Sequence, residues 1–372
     1  MSGTSKGVDR RLFLAAGAAT LAMPMAARAA LGDLVYYVGT MGATGVAALS
    51  YSPAYDKWTL GKADPSVPNA SFGVYSPRLK RHYILNENDA GTVGVYQANS
   101  SGKFSKKGEA STQGKGPCYV SLDATESYLA VANYGSGNIA VYPLDKSGMP
   151  GTPVVKQNSG TGKDPERQEG PHAHCVKWSA DGKFIYSVDL GTDEVIAWPF
   201  DAATGAVGDK VVAFKCEAGF GPRHLVLHPS GQVAYLVGEL ANAVVTLRPN
   251  ADGTFMGTQW TSTLPDGYTD HSQAAHIALN REGNLLYVSN RGHNSIATFY
   301  LDGTGRLGAS QITPCGGDWP RFFAVIPGFD RIIIGNQKSG DVTIMKLHSD
   351  GTLSSTVTSL KIDQPVFIGA TA

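Results

Sequence analysis

The sequence predicts an all-β fold, a seven-bladed β-propeller of four-stranded blades, on three observations. The 372 residues include 45 glycines and 20 prolines, which suits many short strands joined by tight turns. A pattern of apolar runs and turns returns about every 50 residues, the spacing of propeller blades. The two ends of the chain hold complementary halves of one more copy of the pattern.

Six complete copies of the repeat follow one another along the chain. Each has a short apolar run, a turn, a second apolar run ending in a small or polar residue, and a glycine-rich turn before a third strand. The copies cover residues 72–86, 119–133, 175–189, 224–238, 276–290 and 322–336. Their ends lie 47, 56, 49, 52 and 46 residues apart. Six or eight blades are the alternatives to seven.

The seventh copy is split between the chain ends. Residues 34–39 read as the second strand of a blade, and residues 365–368 read as the missing first strand. We therefore expect the N- and C-terminal strands to share one blade. Closing the ring in this way removes the exposed sheet edges that invite aggregation.

The N-terminus predicts a twin-arginine signal peptide over residues 1–29. Arg10 and Arg11 precede an apolar stretch that ends in a small-x-small cleavage pattern at Ala27-Arg28-Ala29. The stretch is short for a membrane span and contains Pro24, so stable membrane insertion is not expected. We expect one mature domain, residues 30–372, exported after folding by the twin-arginine machinery to the periplasm. An ordinary N-terminal tail is the alternative.

Charge and cysteine content exclude several classes of function. Lys+Arg and Asp+Glu both total 31, so no basic stripe is expected to bind nucleic acid. The four cysteines are too sparse for a disulfide scaffold, and their pairing stays open. No Cys-x-x-Cys occurs, and we predict no metal site.

The repeat predicts which residues meet at the central channel. Arg223 and Glu239 lie eight residues to either side of Gly231, the turn between the first two strands of their blade. In an antiparallel pair the start of one strand lies beside the end of the next. We therefore expect a common rim formed by this pair and the equivalent pairs Ser71/Glu87, Cys118/Tyr134, His174/Leu190, Ala275/Arg291 and Arg321/Gln337.

Ionisable residues cluster in one sector of this rim, in consecutive blades: His174, Arg223, Glu239, Arg291 and Arg321. Guanidinium groups pair with carboxylate oxygens in bidentate fashion, so the sector suits an anionic or carbonyl-rich small molecule. A structural ring of ion pairs between blades is the alternative.

Four histidines lie near the rim positions. His174 falls in the repeat register and is the candidate base, and His172, on the same face of an extended segment, is the second candidate. His224 and His276 follow rim positions, so strand alternation predicts that they point away from the rim and serve packing.

Several segments resemble the propeller lactonase family, which includes 6-phosphogluconolactonases and the fungal carboxymuconate lactonizing enzyme. The segments are Gly-Pro-His-Ala-His at 170–174, Gly-Pro-Arg-His at 221–224, Glu239 after Tyr-Leu-Val-Gly, and Tyr-Val-Ser-Asn-Arg-Gly-His at 287–293. The resemblance covers residues 34–372. It implies a site without a cofactor in which catalysis falls to His174, Arg223, Glu239 and Arg291. The expected substrate-binding residues are His172, Arg321, Glu87, Tyr134 and Gln337.

The resemblance implies a lactonase that opens a sugar-type lactone, gluconolactone or a 6-phosphogluconolactone-like molecule. A histidine would take a proton from water while Arg223 and Arg291 stabilise the oxyanion, and Glu239 would be too acidic for a base and would organise the arginines. The export signal departs from the cytoplasmic phosphogluconolactonase role. The alternatives are lactonizing or cycloisomerase activity on a carboxymuconate-type acid, a non-catalytic ligand-binding propeller, and a surface scaffold.

Overall fold

The computed structural model describes residues 34–326 and 330–371. The predicted signal peptide, residues 1–29, lies outside the described residues. Within the described ranges the chain folds into seven antiparallel sheets arranged as a ring, six of them four-stranded and one five-stranded, with one short 3-10 helix at Gly42–Thr44. The prediction of a seven-bladed all-β propeller is confirmed.

The first four blades contain these strands, in order from the channel outward. Blade 1 consists of β29 (Pro365–Ala370), β1 (Leu34–Thr40), β2 (Val46–Ser52) and β3 (Lys57–Leu60). Blade 2 consists of β4 (Gly73–Ser76), β5 (Arg81–Asn86), β6 (Thr92–Ala98) and β7 (Phe104–Ser111). Blade 3 consists of β8 (Pro117–Leu122), β9 (Tyr128–Asn133), β10 (Asn138–Pro143) and β11 (Val154–Gln157). Blade 4 consists of β12 (Ala173–Trp178), β13 (Phe184–Asp189), β14 (Glu194–Asp201) and, beside β14, β15 (Ala206–Val207) and β16 (Val211–Lys215).

The remaining three blades follow the same order. Blade 5 consists of β17 (Pro222–Leu227), β18 (Ala234–Gly238), β19 (Ala243–Pro249) and β20 (Phe255–Ser262). Blade 6 consists of β21 (Gln273–Leu279), β22 (Leu285–Arg291), β23 (Ser295–Leu301) and β24 (Leu307–Pro314). Blade 7 consists of β25 (Pro320–Val325), β26 (Arg331–Asn336), β27 (Asp341–Leu347) and β28 (Leu353–Lys361).

Position within a blade decides the burial pattern of each strand. The second strands are apolar on both faces and buried, as in β18 and β22, because each lies between two neighbouring blades. The outermost strands alternate between half-buried and exposed residues, as in β20, because one face meets water. The core therefore lies between the sheets.

The ring closes as predicted. β29 pairs antiparallel with β1, with Val38 opposite Ile368. The last strand of the chain is therefore the innermost strand of blade 1, whose other three strands come from the N-terminal end of the described chain. Both halves of the split repeat are thereby confirmed.

A β-bulge recurs at the rim end of the innermost strands. In blade 5, Pro222 pairs with Gly238 and His224 pairs with Val237, which leaves Arg223 as the extra residue. The same shift leaves single extra residues in three other blades, namely Cys118, His174 and Arg321. A bulge re-aims its side chains, so the rim residues lean over the channel mouth.

The bulge overturns one prediction from strand alternation. His224 and His276 serve packing as predicted, but they face the channel beneath the rim instead of pointing away, because the extra residue Arg223 and a two-residue bulge that includes His276 break the period of two. Both imidazoles join an aromatic layer, a closed circuit of six rings just beneath the rim. Consecutive ring centroids lie 4.0 to 5.3 Å apart in the order Phe72, Tyr119, His224, His276, Phe322 and Phe367.

Two further features concern sulfur and membranes. The four cysteines are free and buried, which answers the pairing question that the sequence left open. Among the residues that the structure describes, no helix is long and apolar enough to cross a membrane.

Candidate active site

A buried carboxylate is the centre of the predicted rim sector. Glu239 follows β18 and is only 2% exposed. Arg167 Nη2 donates to its Oε1 at 2.5 Å, and Arg291 Nη2 and Arg223 Nε lie 2.9 and 3.0 Å from its Oε2. His174 Nε2 lies 3.8 Å from the same Oε2 atom. The structure thus brings together all four residues predicted as catalytic and adds a third arginine.

Neighbouring positive charges affect the pKa of the Glu239 carboxyl more than burial does. Burial alone would raise the pKa of its carboxyl, but Arg291 and Arg223, with smaller contributions from His174 and Arg167, hold that pKa well below its usual range. The carboxylate is therefore ionised at neutral pH and is a weak base. Its role is to hold three guanidiniums in place.

Arg223 is fixed from below by the aromatic layer. Its Nη1 donates to the carbonyl of Ala275 at 2.7 Å and lies 3.1 Å from Nε2 of His224. A guanidinium can only donate, so His224 Nε2 accepts and its proton is assigned to Nδ1. Burial and the neighbouring Arg291 and Arg321 lower the pKa of Arg223 to about 9, so the group stays charged at neutral pH.

Arg291 is held by the backbone of its own blade. Nε donates to the carbonyl of Gln273 at 3.3 Å and Nη2 donates to that of Ala274 at 3.2 Å. Burial lowers its pKa, and the charge of Glu239 opposes that shift. Nη1 of Arg291 and Nη2 of Arg223 make no hydrogen bond with any residue that the structure describes. These donors remain available to a ligand oxygen.

His174 is a buried, neutral imidazole beside this cluster. It is 5% exposed, its Nδ1 lies 3.6 Å from the thiol sulfur of Cys118, and its Nε2 faces Glu239. Burial and the positive charge of Arg223 lower its pKa well below 6.5, against the opposing effect of Glu239. At neutral pH His174 can therefore accept a proton.

His172, the second candidate base, has both ring nitrogens engaged. Nδ1 lies 2.9 Å from the carbonyl oxygen of Tyr134, and Nε2 lies 3.1 Å from Oε1 of Glu169. Its ring stacks on that of Tyr134 with centroids 4.4 Å apart. Each nitrogen therefore faces one of these oxygens, and neither is directed at the cluster. This geometry favours His174 over His172 as the base.

Arg167 is the functional candidate that the sequence prediction missed. It lies in the loop 158–172 between β11 and β12, outside the repeat register, and it also reaches the phenol of Tyr134 at 3.4 Å. The loop is fixed by the buried amide of Gln168, which accepts from the backbone of Asp164 and donates to Leu190. Burial lowers the pKa of Arg167, but the negative charge of Glu239 raises it by more, so the pKa is raised overall.

A second, less buried pair extends the rim toward blade 2. Arg321 Nη2 lies 3.8 Å from Oε1 of Glu87, and both side chains are about one-fifth exposed, at 20% and 18%. The buried Oε2 of Glu87 and the buried hydroxyl of Ser71 have no hydrogen-bond partner among the described residues. Gln337 is half-buried, and its backbone N–H donates to the carbonyl of Trp319.

The arrangement suits a carbonyl compound that becomes negatively charged during reaction. Four guanidiniums face two carboxylates on one sector, beside a neutral imidazole and buried polar atoms without partners. Preorganised donors of this kind stabilise a developing oxyanion in a site shielded from water. Among the described residues, no group of three His, Cys, Asp or Glu side chains is placed to hold a metal ion.

Comparison with known proteins decides the family. The model of the lactonase family, described as a seven-bladed β-propeller, matches residues 35–369. The chain belongs to this lactonase family. The resemblance predicted from the segments at 170–174, 221–224 and 287–293 is thereby confirmed.

Individual relatives cover nearly the whole lactonase chain. A protein of Bacillus subtilis (strain 168) named 6-phosphogluconolactonase is 30% identical over 342 residues, covering 89% of this chain and 97% of its own length. A structure of a Lactobacillus plantarum protein superposes with a TM-score of 0.84 at 28% identity, over 91% of this chain and 99% of that one. A structure titled periplasmic gluconolactonase from Pseudomonas aeruginosa gives a TM-score of 0.83 at 26% identity, over 91% and 98%.

Proposed function

We propose that this chain hydrolyses a sugar-type lactone, gluconolactone or a 6-phosphogluconolactone-like molecule, at the rim cluster around Glu239. The observation that supports the proposal most is the convergence of Arg167, Arg223 and Arg291 on that carboxylate, within 3.8 Å of the neutral His174. A structural ion-pair ring would not need a neutral imidazole among its charges.

The proposed reaction begins with water. His174 takes a proton from the water molecule as its oxygen attacks the lactone carbonyl carbon, which gives a tetrahedral oxyanion and an imidazolium. The available nitrogens, Nη2 of Arg223 and Nη1 of Arg291, donate to that oxyanion. When the oxyanion collapses, the ring C–O bond breaks and the imidazolium returns its proton to the leaving alkoxide. The products are a hydroxy acid and the original neutral His174.

Substrate orientation is assigned to the outer part of the rim. The unpartnered oxygens of Ser71 and Glu87 are placed to accept or share hydrogen bonds with sugar hydroxyls, since a buried polar atom without a partner is costly unless a ligand satisfies it. Arg321 beside them is suited to an acidic substituent. Tyr134 and Gln337 complete this binding surface in the proposal.

The compartment bears on the choice of lactone. The predicted twin-arginine signal over residues 1–29 supports export to the periplasm, where an unphosphorylated sugar lactone is the simpler substrate. The relative titled periplasmic gluconolactonase agrees with this choice, whereas the name of the Bacillus relative favours the phosphorylated molecule. We propose the unphosphorylated lactone as the first candidate.

A second candidate is lactonizing or ring-opening chemistry on a carboxymuconate-type acid. The observation that favours it is Arg321, whose ion-pair partner Glu87 lies as far as 3.8 Å away, so that its guanidinium can take a substrate carboxylate. If the chain hydrolyses no lactone, non-catalytic ligand binding and a surface scaffold are the remaining interpretations.

The test is hydrolysis by purified residues 30–372 of δ-gluconolactone, 6-phosphogluconolactone and a carboxylated muconolactone, followed by proton release and corrected for spontaneous opening. We expect turnover of a sugar lactone, reduced about 100-fold or more in Arg291→Gln. Arg306→Gln, which removes an exposed arginine far from the cluster, is the matched control. Preference for the muconolactone would select the second candidate, and background rates with every lactone would select ligand binding or a scaffold.

A further inference from the structure

The channel has a cavity at the end opposite the rim, outside the proposed lactonase site. It has a volume of about 780 Å³. Its floor is the aromatic layer, through Phe72, Tyr119, Phe322 and Phe367, and its walls come from the ends of the innermost strands farthest from the rim. The aromatic layer lies between this cavity and the rim cluster, because the layer contacts Arg223 through His224.

One charged side chain stands among the channel-facing positions that follow the aromatic layer by two residues. These positions are Val74, Ser121, Val226, Ala278, Ala324 and Gly369, together with Lys177, which follows Cys175, the residue at the corresponding position of blade 4. Lys177 lines the cavity, and its Nζ lies 5.1 Å from the ring centroid of Tyr119. This ammonium lies over the Tyr119 ring in a cation–π contact, and it makes no ion pair and no hydrogen bond with any residue in 34–326 or 330–371. Burial lowers its pKa.

The carboxylates that line the same cavity are already occupied. Asp123 accepts from the backbone and hydroxyl groups of its own turn, including the backbone amides of Thr125 and Tyr128. Glu126 accepts from the hydroxyl of Ser76 on the neighbouring blade. Lys177 therefore faces an apolar cavity without a counterion. A half-buried ammonium in this position carries a desolvation cost that an anionic ligand would offset.

We propose that this lower cavity is a second ligand site, which binds a small amphipathic monocarboxylate. The ligand carboxylate pairs with the ammonium of Lys177, and its apolar body lies against the rings of the aromatic layer. The single point charge of the Lys177 ammonium matches the single charge of a monocarboxylate. The ring faces favour a flat or aromatic body through stacking and edge contacts.

The probe for this site is benzoate, and benzamide is its neutral isostere. Each compound is titrated into residues 30–372. Binding is followed by calorimetry and by the fluorescence of Trp178, which lines the cavity. We expect benzoate to bind and benzamide to bind at least about tenfold more weakly, since removal of one ion pair in a low-dielectric pocket is worth a factor of that order. Lys177→Met should weaken benzoate binding at least about tenfold, and Lys183→Met, which removes an exposed lysine in the turn before β13, should leave the affinity unchanged.

Two further arms separate this site from the rim. Arg291→Gln disrupts the rim cluster, so unchanged benzoate binding in that variant places the ligand at Lys177 and does not depend on any lactonase activity. If Lys177→Met fails to fold, Lys177→Gln and the benzoate to benzamide ratio in the unmodified chain still decide the matter. The proposal is overturned if the unmodified chain binds benzoate no better than benzamide, if Lys177→Met binds it equally well, or if Arg291→Gln abolishes binding.

Discussion

The two ends of the central channel differ in how their charges are compensated. At the rim, Glu239 is contacted by three guanidiniums and every one of these groups is tied to the protein. At the opposite end, Lys177 has no counterion among the described residues. Both ends draw on one strand, β12, which supplies His174 to the rim and Lys177 to the lower cavity only three residues later.

The two regions are therefore suited to different functions. A cluster of fixed, mutually paired charges is organised before a substrate arrives, and such preorganisation favours stabilisation of a transition state. An unpaired charge beside apolar rings is suited to simple binding, because the ligand itself supplies the missing counterion. The aromatic layer keeps the two environments apart.

Removal of the carboxylate at the rim should have the largest effect on folding. Glu239→Gln leaves Arg167, Arg223 and Arg291 buried together without a counterion. We expect a loss of about 3 to 5 kcal/mol in the free energy of unfolding, measured by urea denaturation. Glu169→Gln is the matched control, because that glutamate is 58% exposed and its one ion pair among the described residues is with His172, so its loss should cost at most about 1 kcal/mol. Equal effects in the two variants would contradict the picture of a compensated rim.

The layer between the two regions should make stability sensitive to acid. Burial first, and the charge of the neighbouring Arg223 second, lower the pKa of each of His174, His224 and His276 well below 6.5. Above pH 6.5 these histidines are neutral in both folded and unfolded chains and contribute no pH dependence. Below pH 6.5 only the unfolded chain takes up protons, so stability falls by about 1.4 kcal/mol per pH unit for each such histidine.

One substitution measures the share of this acid effect that belongs to the aromatic layer. His276→Phe keeps a ring in contact with Phe322, at present 4.0 Å from the imidazole, and removes one titrating group. The slope of unfolding free energy against pH between 6.5 and 5 measures the protons taken up on unfolding. In His276→Phe this slope should correspond to one proton fewer than in the unmodified chain. An unchanged slope would show that His276 titrates alike in the folded and unfolded chains.

The smallest effect is expected at the outer pair of the rim. Arg321 and Glu87 are partly exposed and 3.8 Å apart, so Arg321→Gln should change the free energy of unfolding by less than about 1 kcal/mol. Its effect should appear as a rise of about three- to tenfold in KM for an acidic lactone, with little change for a neutral one. A large loss of stability would instead place Arg321 with the buried cluster.

The repeat made much of this architecture predictable. Because one period of apolar runs recurs in every blade, positions 16 residues apart, such as Arg223 and Glu239, could be assigned to the same rim from the sequence alone. The structure brings His174 and Arg291 to the same place. The shared terminal blade followed from the two half-copies at the chain ends, since an unclosed ring would leave sheet edges exposed.

What the repeat could not predict lies in residues that break its period. Arg167 belongs to a loop whose path is set by hydrogen bonds of Gln168, and no apolar pattern records such a path. The prediction for His224 was wrong because alternation fails at a bulge. A signal for that bulge was present: Pro222 precedes the rim position, as do Pro117 and Pro320 in their blades, and a residue without an N–H suits the point where strand pairing is interrupted.

The most direct test of the central claim, that the rim performs the chemistry with His174 as its base, is the hydrolysis rate of the preferred lactone in His174→Gln beside His172→Gln. We expect kcat to fall about 100-fold or more in His174→Gln and less than about tenfold in His172→Gln, because both nitrogens of His172 are engaged by Tyr134 and Glu169. Full activity in His174→Gln, or the larger loss in His172→Gln, would contradict the account.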